Sequence, residues 1–147
     1  MLKCRSRSNV AVSCHRILVV DDYIPAARAI SQLLRLDGHT VVTAFNAEHV
    51  LDAAVGFRPD IVLLDLTLQG ADDGFVVARW LRDEAGLPDV LIVALTGRCD
   101  DELAQRAADA GFNYYLLKPV GWDDLQAVIA SVDEEREHGR KGNSIAG

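Results

Sequence analysis

The sequence predicts an α/β domain, a doubly wound parallel sheet of five strands with helices on both faces. Three observations carry that prediction. Short apolar runs rich in β-branched residues recur along the chain, and three of them are apolar at every position, as suits strands covered on both sides. Segments with helical periodicity separate the runs. Glycines and capping residues stand at the junctions, and right-handed crossovers turn this five-fold β-then-α alternation into an open sheet.

The elements follow in order. The first strand is Ile17–Val20. Ala27, Ile30 and Leu34 then fall at helical steps of three and four, with Pro25 suited to a first turn and Gly38 beyond the end. Val41 and Val42 with their flanks make the second strand. Asn46 is placed to cap a helix over Ala47–Val55, with Gly56 as its stop. Ile61–Leu64 is the third strand; Asp73 stands at the start of a helix containing Phe75–Glu84, which Gly86 follows. Val90–Leu95 is the fourth strand, Asp100–Ala110 a helix stopped by Gly111, and Tyr114–Leu117 a short fifth strand. Leu125, Val128, Ile129 and Val132 mark the apolar face of the last helix.

With 147 residues, 50% of them hydrophobic and 25% charged, the chain has room for one domain with a real core. The net charge of −7 argues against nucleic acid or an anionic membrane as the main partner. The basic residues Lys3, Arg5, Arg7 and Arg16 crowd the N-terminus, so the remainder is strongly acidic. The expected organisation is a disordered leader over 1–14, a globular unit over 15–133 and a flexible tail over 134–147. Cys4, Cys14 and Cys99 cannot all pair, and a reduced, cytoplasmic setting is the simpler reading. No apolar run approaches the ~18 residues needed to cross a bilayer.

In sheets of this kind, ligands bind beyond the carboxyl ends of the strands, where strand order reverses. The first strand ends in Asp21-Asp22, the third in Asp65, the fourth in Thr96 and the fifth in Lys118-Pro119. If the first and third strands are neighbours, three carboxylates converge. Two such charges ~4 Å apart repel by ~4 kcal/mol at an effective dielectric of 20, so the cluster costs stability. Lys118 offsets part of that cost, and a divalent cation offsets more. An all-oxygen set suits Mg²⁺, while the lack of a nearby nitrogen or sulphur ligand argues against zinc. Acids so placed can hold a metal and phosphoryl group against a carboxylate nucleophile.

These residues resemble the receiver domain of bacterial two-component response regulators. The likeness covers about residues 16–132 and rests on the stretches RILVVDD, PDIVLLDL, VLIVALTG and YYLLKPV, with Asp21, Asp22, Asp65, Thr96 and Lys118 in order. It implies a flavodoxin-like fold with strand order 2-1-3-4-5. It further implies that Asp65 is the phosphoacceptor, with Asp22 a direct Mg²⁺ ligand and Asp21 acting largely through water. The Thr67 carbonyl is implied as a further ligand. Lys118 would pair with Asp65 and then with the phosphoryl group; Thr96 and Tyr115 would form the switch, and the Lys118–Pro119 bond would be cis. Such a protein is not a metabolic enzyme but a phosphoacceptor that catalyses only its own phosphorylation and dephosphorylation. The implied partners are a sensor histidine kinase or histidine phosphotransfer protein, and a downstream protein target on the face made by Asp100–Ala110, Tyr114–Leu117 and Trp122–Val132. Trp122 reads as partly buried packing.

The sequence departs from the family pattern in one loop. Gln69 stands where a proline is usual and Gly74 comes one residue late, so Leu66–Asp73 is expected to be longer and looser. Arg98 is expected to overhang the site and modulate water access. With no further module in the chain, a single-domain regulator signalling by protein contact or phosphorelay is the leading reading. A phosphatase-like enzyme with an aspartyl nucleophile and a phosphorylation-independent interaction module are the alternatives. The first usually has its nucleophile after strand one with an acid two residues on, where Tyr23 stands here; glycine-rich nucleotide loops are absent.

Overall fold

The computed structural model describes residues 14–68, 73–98 and 100–140, leaving aside the side chains of 73 and 135–140. Five parallel strands, β1 (Arg16–Val20), β2 (Thr40–Ala44), β3 (Ile61–Asp65), β4 (Leu91–Thr96) and β5 (Tyr114–Leu117), alternate with five helices. These are α1 (Ile24–Leu36), α2 (Ala47–Phe57), α3 (Asp73–Asp83), α4 (Asp101–Asp109) and α5 (Trp122–Arg140). The sheet order is β2-β1-β3-β4-β5, so strand order reverses at β1 and β3.

Both faces of the sheet are covered, which is why its central strands are apolar throughout. On one side Leu18, Val20, Val62, Leu64, Ile92 and Ala94 pack with residues of α2, α3 and α4. On the other, Ile17, Val19, Leu63, Val93 and Leu95 pack with Ala27 and Leu34 of α1 and Leu125, Ile129 and Val132 of α5. Trp122 is half-buried against this second core, as its sequence context suggests.

Local chemistry sets most boundaries. The Asn46 side chain accepts the His49 N–H at 2.9 Å, and the Asp100 side chain accepts the Leu103 N–H at 2.8 Å, each contributing about 1 kcal/mol. Gly38, Gly86 and Gly111 adopt positive φ after their helices. Gly56 does not stop α2, contrary to expectation: the helix runs to Phe57 and Arg58 takes the left-handed turn at φ 52°. Pro59 is the reason, because the residue before proline is disfavoured in the right-handed helical region. Phe57 is also held in place, with the Arg16 guanidinium 4.2 Å from its ring centroid and its carbonyl accepting from Arg16 Nε at 2.9 Å.

Helix α5 continues to Arg140, past the expected end of the globular unit at 133, in a stretch rich in the good helix formers Glu and Arg. The leader proposed for 1–14 lies, apart from Cys14, outside the described residues, as do Gln69 and Cys99. Cys14 is disulfide-bonded, which departs from the expectation of a reduced setting. An odd cysteine count excludes complete pairing, not a single bridge. Among the described residues no helix is long and apolar enough to cross a membrane.

Arg82 ties the far end of the sheet together. Its guanidinium donates to the carbonyls of Gly111 (2.8 Å), Pro88 (3.0 Å) and Val90, and to Asn113 Oδ1, which itself accepts the Ile92 N–H at 2.8 Å. Arg82→Met keeps the stem and removes the guanidinium donor from the Gly111, Pro88 and Val90 carbonyls. It is expected to lower unfolding free energy by about 2–4 kcal/mol, measured by urea denaturation. A loss under about 0.5 kcal/mol would mean that water replaces the guanidinium freely.

Candidate functional site

The parallel register builds the site. Val20 lies opposite Leu64 and Asp65 opposite Leu95, so the residues that follow β1 emerge beside the end of β3. Thr96 lies opposite Leu117, and the Lys118 N–H donates to the Thr96 carbonyl at 2.7 Å, bringing the lysine to the same rim. One carboxylate oxygen from each of Asp21, Asp22 and Asp65 falls within 4.8 Å of the others. Lys118 Nζ sits 3.2 Å from Asp21 Oδ2 and 3.3 Å from Asp65 Oδ2. The expected gathering of Asp21, Asp22, Asp65 and Lys118 is therefore present. The sequence reading paired Lys118 with Asp65 alone and missed the bridge to Asp21.

Thr67 and Thr96 complete the rim. The Thr67 N–H donates to Asp65 Oδ1 at 3.1 Å, leaving Oδ2 for the lysine. Thr96 directs its hydroxyl to the Arg98 carbonyl at 2.9 Å and accepts the Arg98 N–H at 3.2 Å. Beside it, Leu66, Leu103, Ala107 and Tyr115 line a small cavity, with Tyr115 45% exposed. Arg98, expected over the site, pairs its guanidinium with Asp100 at 3.1 Å, because the carboxylate that caps α4 is its near neighbour. The Lys118–Pro119 bond is cis.

Gly74 is a positioning residue that composition alone does not expose. Its N–H donates to the Leu66 carbonyl at 3.3 Å, and a Cβ there would lie 2.4 Å from the Asp65 carbonyl oxygen. The start of α3 thus rests directly on the backbone that presents Asp65.

The electrostatics match a site built for a cation. Asp21 is 1% exposed, and burial raises its carboxyl above the ordinary 3.8, with Asp65 adding to the rise; the Tyr23 N–H and Lys118 oppose it incompletely. Burial pulls the Lys118 ammonium down, but Asp65 and Asp21 outweigh it and hold the group above 10.5. Asp21 Oδ2 is buried, and its contact with Lys118 is an electrostatic approach without good hydrogen-bond geometry. A buried, under-coordinated carboxylate oxygen within a triad of hard donors fits Mg²⁺.

The Asp21 shift has a sign that can be tested without metal. A carboxyl raised in the folded state takes up its proton before the unfolded chain does. Its contribution to stability is present below the unfolded pKa and is lost as pH rises through the folded value. Asp21→Asn keeps an acceptor for the Tyr23 N–H and removes the titration. The metal-free variant is expected to be more stable than the parent near neutrality, with the gap narrowing as pH falls toward 3.8. Thermal melts across that range check this; a constant gap would contradict it.

The family profile described as "Response regulator receiver domain" matches residues 17–130. The chain is 37% identical over 121 residues to the transcriptional regulatory protein TcrA of Mycobacterium tuberculosis, covering 82% of this chain and 47% of TcrA. It is 36% identical over 145 residues to the response regulator PleD of Caulobacter vibrioides, covering 90% of this chain and 31% of PleD. The chain thus spans less than half the length of these curated relatives. Among solved structures, Vibrio cholerae CheY4 superposes with a TM-score of 0.76 at 25% identity, covering 82% of this chain and 99% of that one. A CheY-like receiver domain protein from Methanospirillum hungatei superposes with a TM-score of 0.75 at 25% identity, over 86% of this chain and 99% of that one.

Proposed function

This chain belongs to the response regulator receiver family, and from that premise we propose that Asp65 accepts a phosphoryl group from a phosphohistidine partner and passes the signal on by a change of conformation. The observation that carries the reading is the triad within 4.8 Å with Lys118 bridging two of its members. Receivers are signalling proteins rather than metabolic enzymes, and the chemistry assigned to this one is limited to its own acyl phosphate.

In the transfer, an Asp65 carboxylate oxygen attacks phosphorus, a P–O bond forms, and the P–N bond of the donor breaks with its electron pair returning to the imidazole. Asp21, Asp22, Asp65 and the Thr67 carbonyl would hold Mg²⁺, which when bound supplies positive charge to the phosphoryl oxygens. Lys118 exchanges its carboxylate contacts for the phosphoryl group. The Thr96 hydroxyl leaves the Arg98 carbonyl and donates to a phosphoryl oxygen, a stronger, charge-assisted bond. That movement opens room beside the cavity for Tyr115, coupling the site to α4, β5 and α5.

The partners that fit are a sensor histidine kinase or histidine phosphotransfer protein and a downstream protein target on the α4–β5–α5 face, where Tyr115 and Leu117 are exposed. The acidic chain favours protein over nucleic acid as its own contact; TcrA is a transcriptional regulator by name, and this chain spans 47% of it. A donor charged from ATP places the work in the cytoplasm. The test is incubation with acetyl phosphate and Mg²⁺, followed by intact-mass measurement of the parent and Asp65→Asn. One added phosphoryl group in the parent alone supports the proposal. Repeated turnover of a phosphate ester would favour the phosphatase-like alternative, and no adduct would reject the phosphoacceptor role.

A further inference from the structure

At the end of β1 remote from Asp21, two buried histidines stack with ring centroids 5.7 Å apart. His15 is 2% exposed and His39 5%. The backbone N–H of His15 donates to His39 Nδ1 at 3.1 Å, and the Thr40 N–H donates to the His15 carbonyl at 3.0 Å. The first of these bonds extends the β1–β2 ladder by one rung made with a side chain. It exists only while Nδ1 is unprotonated, which puts the His39 proton on Nε2.

Charged groups from each neighbouring element face the pair. Asp37, just past α1, has Oδ2 3.7 Å from His39 Nε2. Asp133 of α5 has Oδ1 3.1 Å from His15 Nε2, and Asp60, before β3, has Oδ2 3.9 Å from His15 Nδ1 while also accepting the Arg16 N–H at 3.0 Å. The Arg16 guanidinium turns away, to the Phe57 carbonyl. A proton on His39 Nδ1 would meet an N–H.

We propose that His39 is an acid-released latch: neutral, it fastens the chain entering β1 to the start of β2, and protonated at Nδ1 it sets donor against donor and lets that strand end go. Burial, and next the His15 ring, hold the His39 imidazole below its usual 6.5, with Asp37 and Asp133 opposing them incompletely. Protonation is thus linked to opening: the open state takes up the proton first as pH falls, and opening becomes easier through that interval. The latch does not depend on the role of Asp65.

Backbone amide exchange of the full chain, read as the protection factor at His15 between about pH 7.5 and 5, tests the latch. One proton per opening gives a fall in protection of up to about tenfold per pH unit below about 6.5. His39→Asn puts Oδ1 where Nδ1 stands and cannot titrate, so its His15 protection is expected to stay flat. Equal pH dependence in the two proteins overturns the proposal. Should His39→Asn fail to fold, long-range ¹⁵N–¹H spectra of the unsubstituted chain decide. Nδ1 must be unprotonated at about pH 7.5 and must not gain its proton in the dominant closed form before the His15 amide begins to lose protection. An Nδ1 already protonated there, or protection that holds while His39 titrates, rejects the latch. The same profile in Asp65→Asn is expected, and it keeps this result separate from phosphoryl chemistry.

Discussion

Asp65→Asn is expected to abolish phosphoryl acceptance while raising the melting temperature of the metal-free protein. The amide has no nucleophilic carboxylate oxygen, so no acyl phosphate forms at this position. Its Oδ1 can still accept the Thr67 N–H, and the local turn survives. The stability gain comes from charge. Lys118 bridges two of the three clustered carboxylates, and removing the Asp65 charge leaves it still paired with Asp21 at 3.2 Å. Each unscreened pair at this range is worth a few kcal/mol at an effective dielectric near 20, and losing two repulsions against one attraction yields a net gain of about 1–2 kcal/mol. Thermal melts in chelator check the gain, and an unchanged or lower melting temperature would contradict the electrostatic account. Mg²⁺ reverses the order. An ion that binds only the folded state stabilises in proportion to the logarithm of its concentration over Kd, and the parent chain, keeping the full triad, is expected to gain more.

Gly74→Ala is expected to damage the fold and the site together. Near the start of a helix, alanine in place of glycine would by propensity alone add up to about 1 kcal/mol of stability. The position forbids it. The new Cβ would lie 2.4 Å from the Asp65 carbonyl oxygen and 2.8 Å from Leu66 Cα, contacts with backbone that cannot swing aside as a flexible side chain can. Either α3 lifts from the sheet, exposing the core around Phe75 and Ala78, or the end of β3 shifts and moves Asp65. A net loss of about 2–3 kcal/mol in urea unfolding is expected, with Mg²⁺ stabilisation reduced at least several-fold. Unchanged stability with full Mg²⁺ response would contradict this close contact as the reason for glycine here.

Much of this architecture is legible in the sequence because local and global preferences agree. Runs such as Ile61–Leu64 and Leu91–Leu95 are apolar throughout, since each strand buries both faces, and Gly38, Gly86 and Gly111 mark turns that favour glycine. Strand ends then place Asp21, Asp22, Asp65, Thr96 and Lys118 on one rim without any knowledge of side-chain positions. What escapes is what depends on distant residues meeting. The stop of α2 at Arg58 follows from Pro59 and from Arg16 gripping Phe57, a contact across 41 positions. Arg98 stands two residues from Thr96, yet it turns to Asp100 because that carboxylate already caps α4. The Gly74 contact needs the helix start and strand end in register. The pairing of His15 with His39 needs the β1–β2 alignment, and neither histidine carries a motif of its own.

The central claim, that the Asp65 carboxylate oxygen is the atom that takes the phosphoryl group, can be read at residue level. After exposure to acetyl phosphate and Mg²⁺, reduction with borohydride converts an acyl phosphate to an alcohol, and peptide mass spectrometry locates the change. The account predicts homoserine at position 65 and aspartate retained at 21 and 22. Reduction at position 21 or 22 with position 65 untouched would contradict it.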